Sequence, residues 1–256
     1  MPIRLSLLLL LSLLLDGIGQ PLLRVLHLHE ADVTQRPCGH HLAGVAHHIV
    51  GLGREPDLQE VPPGGKAGHA LIVDADGSAC GLNGPPFIDA CGYDQAGEIL
   101  VWIYPDIDRS HGPGPAKGQR LVFDQTEFLP GAVGFGLARE GVAYVPPSCA
   151  ATPGCRVHIA FHGCLQSRTL DEVGDRFVED AGYLRYADAN RLVLLFPQTN
   201  ANTAPNACWD WWGYASSDVL SQRAPQLAAT RAMLAASLNA CSARVKATYK
   251  RFRLSR

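Results

Sequence analysis

The chain has 256 residues, of which 47% are hydrophobic, and mean hydropathy is near zero. That is enough to bury a substantial core in one domain. A net charge of -2 offers no footprint for nucleic acid. Eight cysteines without any CxxC pair at zinc-ligand spacing favour an oxidising compartment and disulfides over structural zinc.

At the N-terminus, Arg4 precedes an apolar-dominated run from Leu5 to Leu15, and Gly17-Ile18-Gly19 supplies a small-x-small cleavage pattern. Residues 1–19 read as a signal peptide, and the run is too short to span a bilayer. The expected location is therefore secreted or periplasmic. Leu22 to Leu28 reads as a buried strand, and Leu42, Val45, Ile49 and Leu52 recur at helical spacing. Glu60 to Ala90 is rich in Gly, Pro, Asp and Asn, which predicts a long loop carrying His69.

Ile99 to Tyr104 predicts a short strand or a helix turn, and Pro105 to Gly118 an exposed excursion. Val142–Val145 and Val157–Phe161 read as strands, joined as a hairpin through the Cys149 to Cys155 loop. Val173, Phe177 and Ala181 mark a helical face. Leu192–Phe196 suits a fully buried parallel strand, and Leu227, Leu234 and Leu238 mark a last helix. Strands alternating with helices predict an α/β sheet. Residues 241–256 form a basic tail, with six Arg and Lys from Arg244 onward. A solvated end is its expected role.

Cysteine spacing suggests three disulfides, Cys80 with Cys91, Cys149 with Cys155 and Cys164 with Cys208, leaving Cys38 and Cys241 paired or free. Two segments carry chemistry. RVHIAFHGC, Arg156 to Cys164, is an apolar run ending in His-Gly, the way a buried strand delivers a backbone N–H to an oxyanion. CWDWWGY, Cys208 to Tyr214, sets three tryptophans beside a cysteine, and they cannot all be buried on one face of a strand. Asp32 lies in a turn past a strand and His69 in a glycine-rich loop, positions suited to a triad acid and base.

CRVHIAFHGCLQS, AGYLRYADANRLVLLFPQT, NACWDWWGY and the run from Gly68-His69 through CGLNGPPFIDACGYDQAGEIL resemble extracellular polyhydroxybutyrate depolymerases from about Pro21 to about Ala240. The resemblance implies a partial, circularly permuted α/β-hydrolase over residues 20–240, with disulfide-stapled loops and the order serine, aspartate, histidine, oxyanion strand. It also implies Asp32 as acid, His69 as base, the Cys164 N–H as oxyanion donor, and Trp209 lining the crevice for a polyester or hydroxyalkanoate substrate; Trp211 and Trp212 read beside it as an apolar docking surface. No organic cofactor or metal is implied.

The nucleophile does not follow the pattern. No GxSxG occurs in the sequence. Gly77-Ser78-Ala79-Cys80-Gly81 has the wrong register, and Ser167 reads as a turn or capping residue. The expectation is a depolymerase-like hydrolase, inactive or incomplete because it lacks the nucleophile, with a missing N-terminal half among its expected partners. One alternative is a non-catalytic polyester-binding protein. The other is a metal-dependent hydrolase using His27, His29 and Asp32, since residues two apart on a strand share a face.

Overall fold

The structure is a computed structural model, and it describes residues 67–109, 116–129 and 134–242. Asp32, His27, His29, Cys38, residues 1–19 and the tail beyond residue 242 lie outside the described residues.

Among the described residues two sheets organise the fold. The smaller joins three short parallel strands, β1 (Leu71–Val73), β2 (Ser78–Ala79) and β3 (Ile88–Ala90), in the order β1-β3-β2. The loop expected over Glu60 to Ala90 thus contains strands. Elements of two or three residues are too short to show a period of two, so the Gly and Pro content dominated the reading. Helix α1 (Gln95–Ile103) follows, where a strand or single turn was expected for its second half. The Asp94 side chain accepts the Gly97 N–H and caps it.

The larger sheet contains β4 (Gln119–Asp124), β5 (Glu140–Val145), β6 (Arg156–Ile159) and β7 (Leu192–Phe196) in the order β4-β5-β7-β6. β5 is antiparallel to both neighbours, whereas β6 and β7 run parallel. The hairpin expected between β5 and β6 is corrected by this order. The short helix α2 (Pro147–Ala151) and the Cys149–Cys155 disulfide form a crossover, and β7 inserts between the two strands. A continuous apolar strand buried on both faces belongs in the middle of a sheet.

Side-chain alternation along β7 sorts the core. Leu192, Leu194 and Phe196 point into a cluster with Leu71, Ile88, Leu100, Val142 and Phe177, between the sheet and the face bearing β1, β3 and α1. Leu195 points the opposite way, to Phe123, Ile159, Phe161, Ala229 and Met233. Short helices α3 (Arg176–Asp180) and α4 (Leu184–Ala187) cover the first face, burying Phe177, Val178, Tyr186 and Ala187. The long helix α5 (Pro225–Ser242) contributes Ala229 and Met233 to the second. Cys80–Cys91 and Cys164–Cys208 are also bonded, so all three expected pairs form.

Candidate active site

Beyond β6 the chain runs through Ala160, Phe161 and His162 into a turn, Gly163 to Gln166. The Gln166 N–H donates to Gly163 O at 3.2 Å, and Leu165 at the third position has φ 59°. A positive φ there is the type II pattern, and a leucine holding it is strained.

His162 is buried within this turn. Its Nδ1 lies 2.7 Å from Gly163 O and its Nε2 lies 3.2 Å from the Thr199 nitrogen. A carbonyl can only accept and a backbone N–H can only donate, so Nδ1 carries the proton and Nε2 is bare. Thr199 Oγ1 is committed elsewhere, donating to Ala207 O at 2.7 Å. Burial of the ring lowers its pKa from the ordinary 6.5 to about 4, with the bond to Gly163 O opposing that shift. His162 is neutral at pH 7.

Two donors, the His162 Nδ1–H and the Gln166 N–H, therefore fix the Gly163 carbonyl. Gly163 O and the Cys164 N–H belong to one trans peptide and point in opposite directions. Holding the carbonyl inward turns the Cys164 N–H outward, at an exposed residue where it meets no acceptor among the described residues. Two bonds onto the carbonyl also polarise the amide and strengthen its N–H as a donor. The Gly163 N–H donates to the Gln166 Oε1 at 2.7 Å, and a Cβ at Gly163 would stand 2.8 Å from that oxygen. A side chain at Gly163 would therefore push the Gln166 amide away from this bond.

The second diagnostic segment is tied to the same turn. Cys208 is bonded to Cys164, and the neighbouring Trp209 Nε1–H donates to His162 O at 2.9 Å. Trp209 packs edge-on against Phe161, centroids 4.9 Å apart, and is half-buried. Trp211 and Trp212 are 67% and 44% exposed, their rings in an edge contact that continues to Tyr214. Asp210 shapes this loop by accepting four backbone N–H groups, those of Gly213, Tyr214, Ala215 and Ser216.

His69 is exposed on the segment entering β1. Its N–H donates to Asn83 Oδ1 at 2.6 Å, and its imidazole has no partner among the described residues. Gly68 before it is pressed against the Leu82 carbonyl and the buried Asp89 carboxylate, at 2.7 and 2.8 Å from where a Cβ would sit. Ser167 is fully buried, its hydroxyl spent on Thr199 O, while Ser78 lies in β2. Among the described residues no His, Cys, Asp and Glu cluster could hold a metal ion.

His162, Gln166, Thr199 and Asp210 are the residues that sequence reasoning passed over. A histidine directly before the turn glycine and a carboxylate between tryptophans were visible, but the Thr199 N–H that seats His162 lies 37 residues away, and the donors to Asp210 lie within the following turn.

A mixed sheet with a strand-to-turn N–H donor and disulfide-stapled loops is an α/β-hydrolase type of fold. No family model matches the chain. A poly(3-hydroxybutyrate) depolymerase of Delftia acidovorans is 39% identical over 170 residues, covering 66% of this chain and 33% of that protein. A polyhydroxybutyrate depolymerase of Talaromyces funiculosus is 35% identical over 178 residues, covering 63% of this chain and 50% of its own length. The crystal structure of PHB depolymerase from Penicillium funiculosum aligns with TM-score 0.58 and 33% identity, over 66% of this chain and 56% of that one. A Ser-to-Ala PHB depolymerase complexed with an R3HB trimer aligns equally. Over these residues the chain is similar to the polyhydroxybutyrate depolymerases, and it spans one third to about half of the length of the relatives it matches.

Proposed function

We propose that these residues carry the carbonyl-polarising and polymer-contacting part of a polyester hydrolase of the polyhydroxybutyrate depolymerase kind, in a circularly permuted arrangement. The observation that carries this reading is the outward, doubly polarised Cys164 N–H beside Trp209. An ester carbonyl placed there would gain hydrogen bonding as it becomes an oxyanion. His69 is the general base, with Asp32 as the acid that orients it. Trp209 walls the site, and Trp211 and Trp212 present an apolar surface to methyl-rich polyester. Three disulfides support a secreted or periplasmic location.

An acyl-enzyme needs a nucleophilic serine, and the sequence contains no GxSxG. The 256 residues are therefore assigned to ester binding without turnover on their own. Labelling the purified chain with a fluorophosphonate probe tests this assignment. No labelled serine, together with adsorption to polyhydroxybutyrate granules, is the expected result. A labelled serine would show that the chain carries its own nucleophile, and failure to adsorb would overturn the polymer-contacting role.

A further inference from the structure

We propose that Gln166 is a positioning residue that couples the His69 segment to the oxyanion turn, so that base and oxyanion donor move as one unit. The inference rests on the roles just given to His69 and Cys164. Gln166 is 3% exposed and sits between two loops far apart in sequence. Its Oε1 accepts the Gly163 N–H at 2.7 Å, and its Nε2–H donates to Phe87 O at 2.8 Å, with Pro86 O at 3.4 Å.

Phe87 O is shared, because it also accepts the Leu71 N–H at 2.8 Å, two residues beyond His69. The same loop grips the His69 segment a second time through Asn83 Oδ1 and the His69 N–H. The path from base to oxyanion donor therefore crosses one side chain. On one side lie His69, Leu71, Asn83 and Phe87, and on the other Gly163 and Cys164. An amide suits this place because it supplies one acceptor and one donor in a fixed plane. A carboxylate would lack the donor, and an aliphatic chain would lack both. Base and oxyanion donor act on the same reacting carbonyl, so their relative placement matters to a fraction of an ångström.

Residue-resolved amide hydrogen exchange on the full chain tests the coupling without requiring turnover. Gln166→Met should raise exchange about tenfold at Gly163, whose N–H loses its acceptor, and also at the His69, Leu71 and Phe87 amides. Amides of β5 and β7 should not change, which separates a local role from general loosening. The decisive comparison uses Asn83→Ala. In the wild-type background it should speed exchange at Gly163, and in the Gln166→Met background it should add nothing there.

An Asn83→Ala chain whose Gly163 amide is unaltered overturns the proposal, as does an equal response in both backgrounds. The first comparison stands even if Gln166→Met does not fold. Loss of polyester adsorption by the wild type, with the exchange coupling intact, would instead count against the functional reading alone.

Discussion

The buried imidazole of His162 makes stability depend on pH between the ordinary histidine pKa of 6.5 and about 4. Unfolded, the ring has its ordinary pKa of 6.5, whereas burial lowers it to about 4 in the fold. Below pH 6.5 the unfolded chain binds a proton that the folded chain refuses, so stability falls as pH drops and the loss is complete near pH 4. The gap corresponds to about 3 kcal/mol, a large share of the stability of an ordinary domain. Protonation would also set a second N–H against the Thr199 N–H and disturb the turn carrying Cys164. The carboxyls lowered in the fold act elsewhere on the scale. Asp74 is held down by Arg185, and Asp124 by Thr126 and Arg139 against the opposing effect of burial. Their contribution is present above pH 3.8 and lost only below it. Urea unfolding from pH 7.5 to 4 should show the loss in the wild type and a shallower slope in His162→Gln. A direct reading is the imidazole 13C shift of His162, which should stay at its neutral value until about pH 4. Titration of this ring near pH 6.5 would refute the tautomer and the orientation of the turn derived from it.

Replacing Cys164 and Cys208 together by serine opens a loop of 44 residues and should cost about 4 kcal/mol by chain entropy, measured by urea unfolding under oxidising conditions. Asp210→Ala removes the acceptor of four backbone N–H groups. It should lower stability by about 2 kcal/mol and collapse the near-ultraviolet dichroism of the Trp211 and Trp212 pair. Trp211→Ala should leave stability within about 0.5 kcal/mol yet weaken adsorption to polyhydroxybutyrate. Trp209→Ala, packed on Phe161 and bonded to His162 O, should cost about 3 kcal/mol, so it must be compared at matched folded fraction.

Much of the candidate site could be read from sequence because its signals are local. The His-Gly turn follows a strand directly, and the tryptophans sit beside a cysteine that spacing paired correctly with Cys164. β7 was legible because five consecutive apolar residues admit few other environments. What escaped was long-range. The place of β7 between β5 and β6 depends on pairing that no short window contains. Gln166 gave no signal at all, since its partners Phe87 and Gly163 reveal themselves only when the β2 to β3 loop meets the turn.

The strand order also sets a timetable. β5 ends at Val145 and β6 at Ile159, yet the strand that separates and pairs them starts at Leu192. Within the larger sheet only the β4–β5 pair can form early during synthesis, and β6 has no described partner until more than thirty further residues have emerged. The outward Cys164 N–H is consequently a late product of folding, because the Thr199 N–H that seats His162 follows β7 in the chain. A nascent chain is therefore expected to remain unable to hold an ester carbonyl until the centre of its sheet is complete.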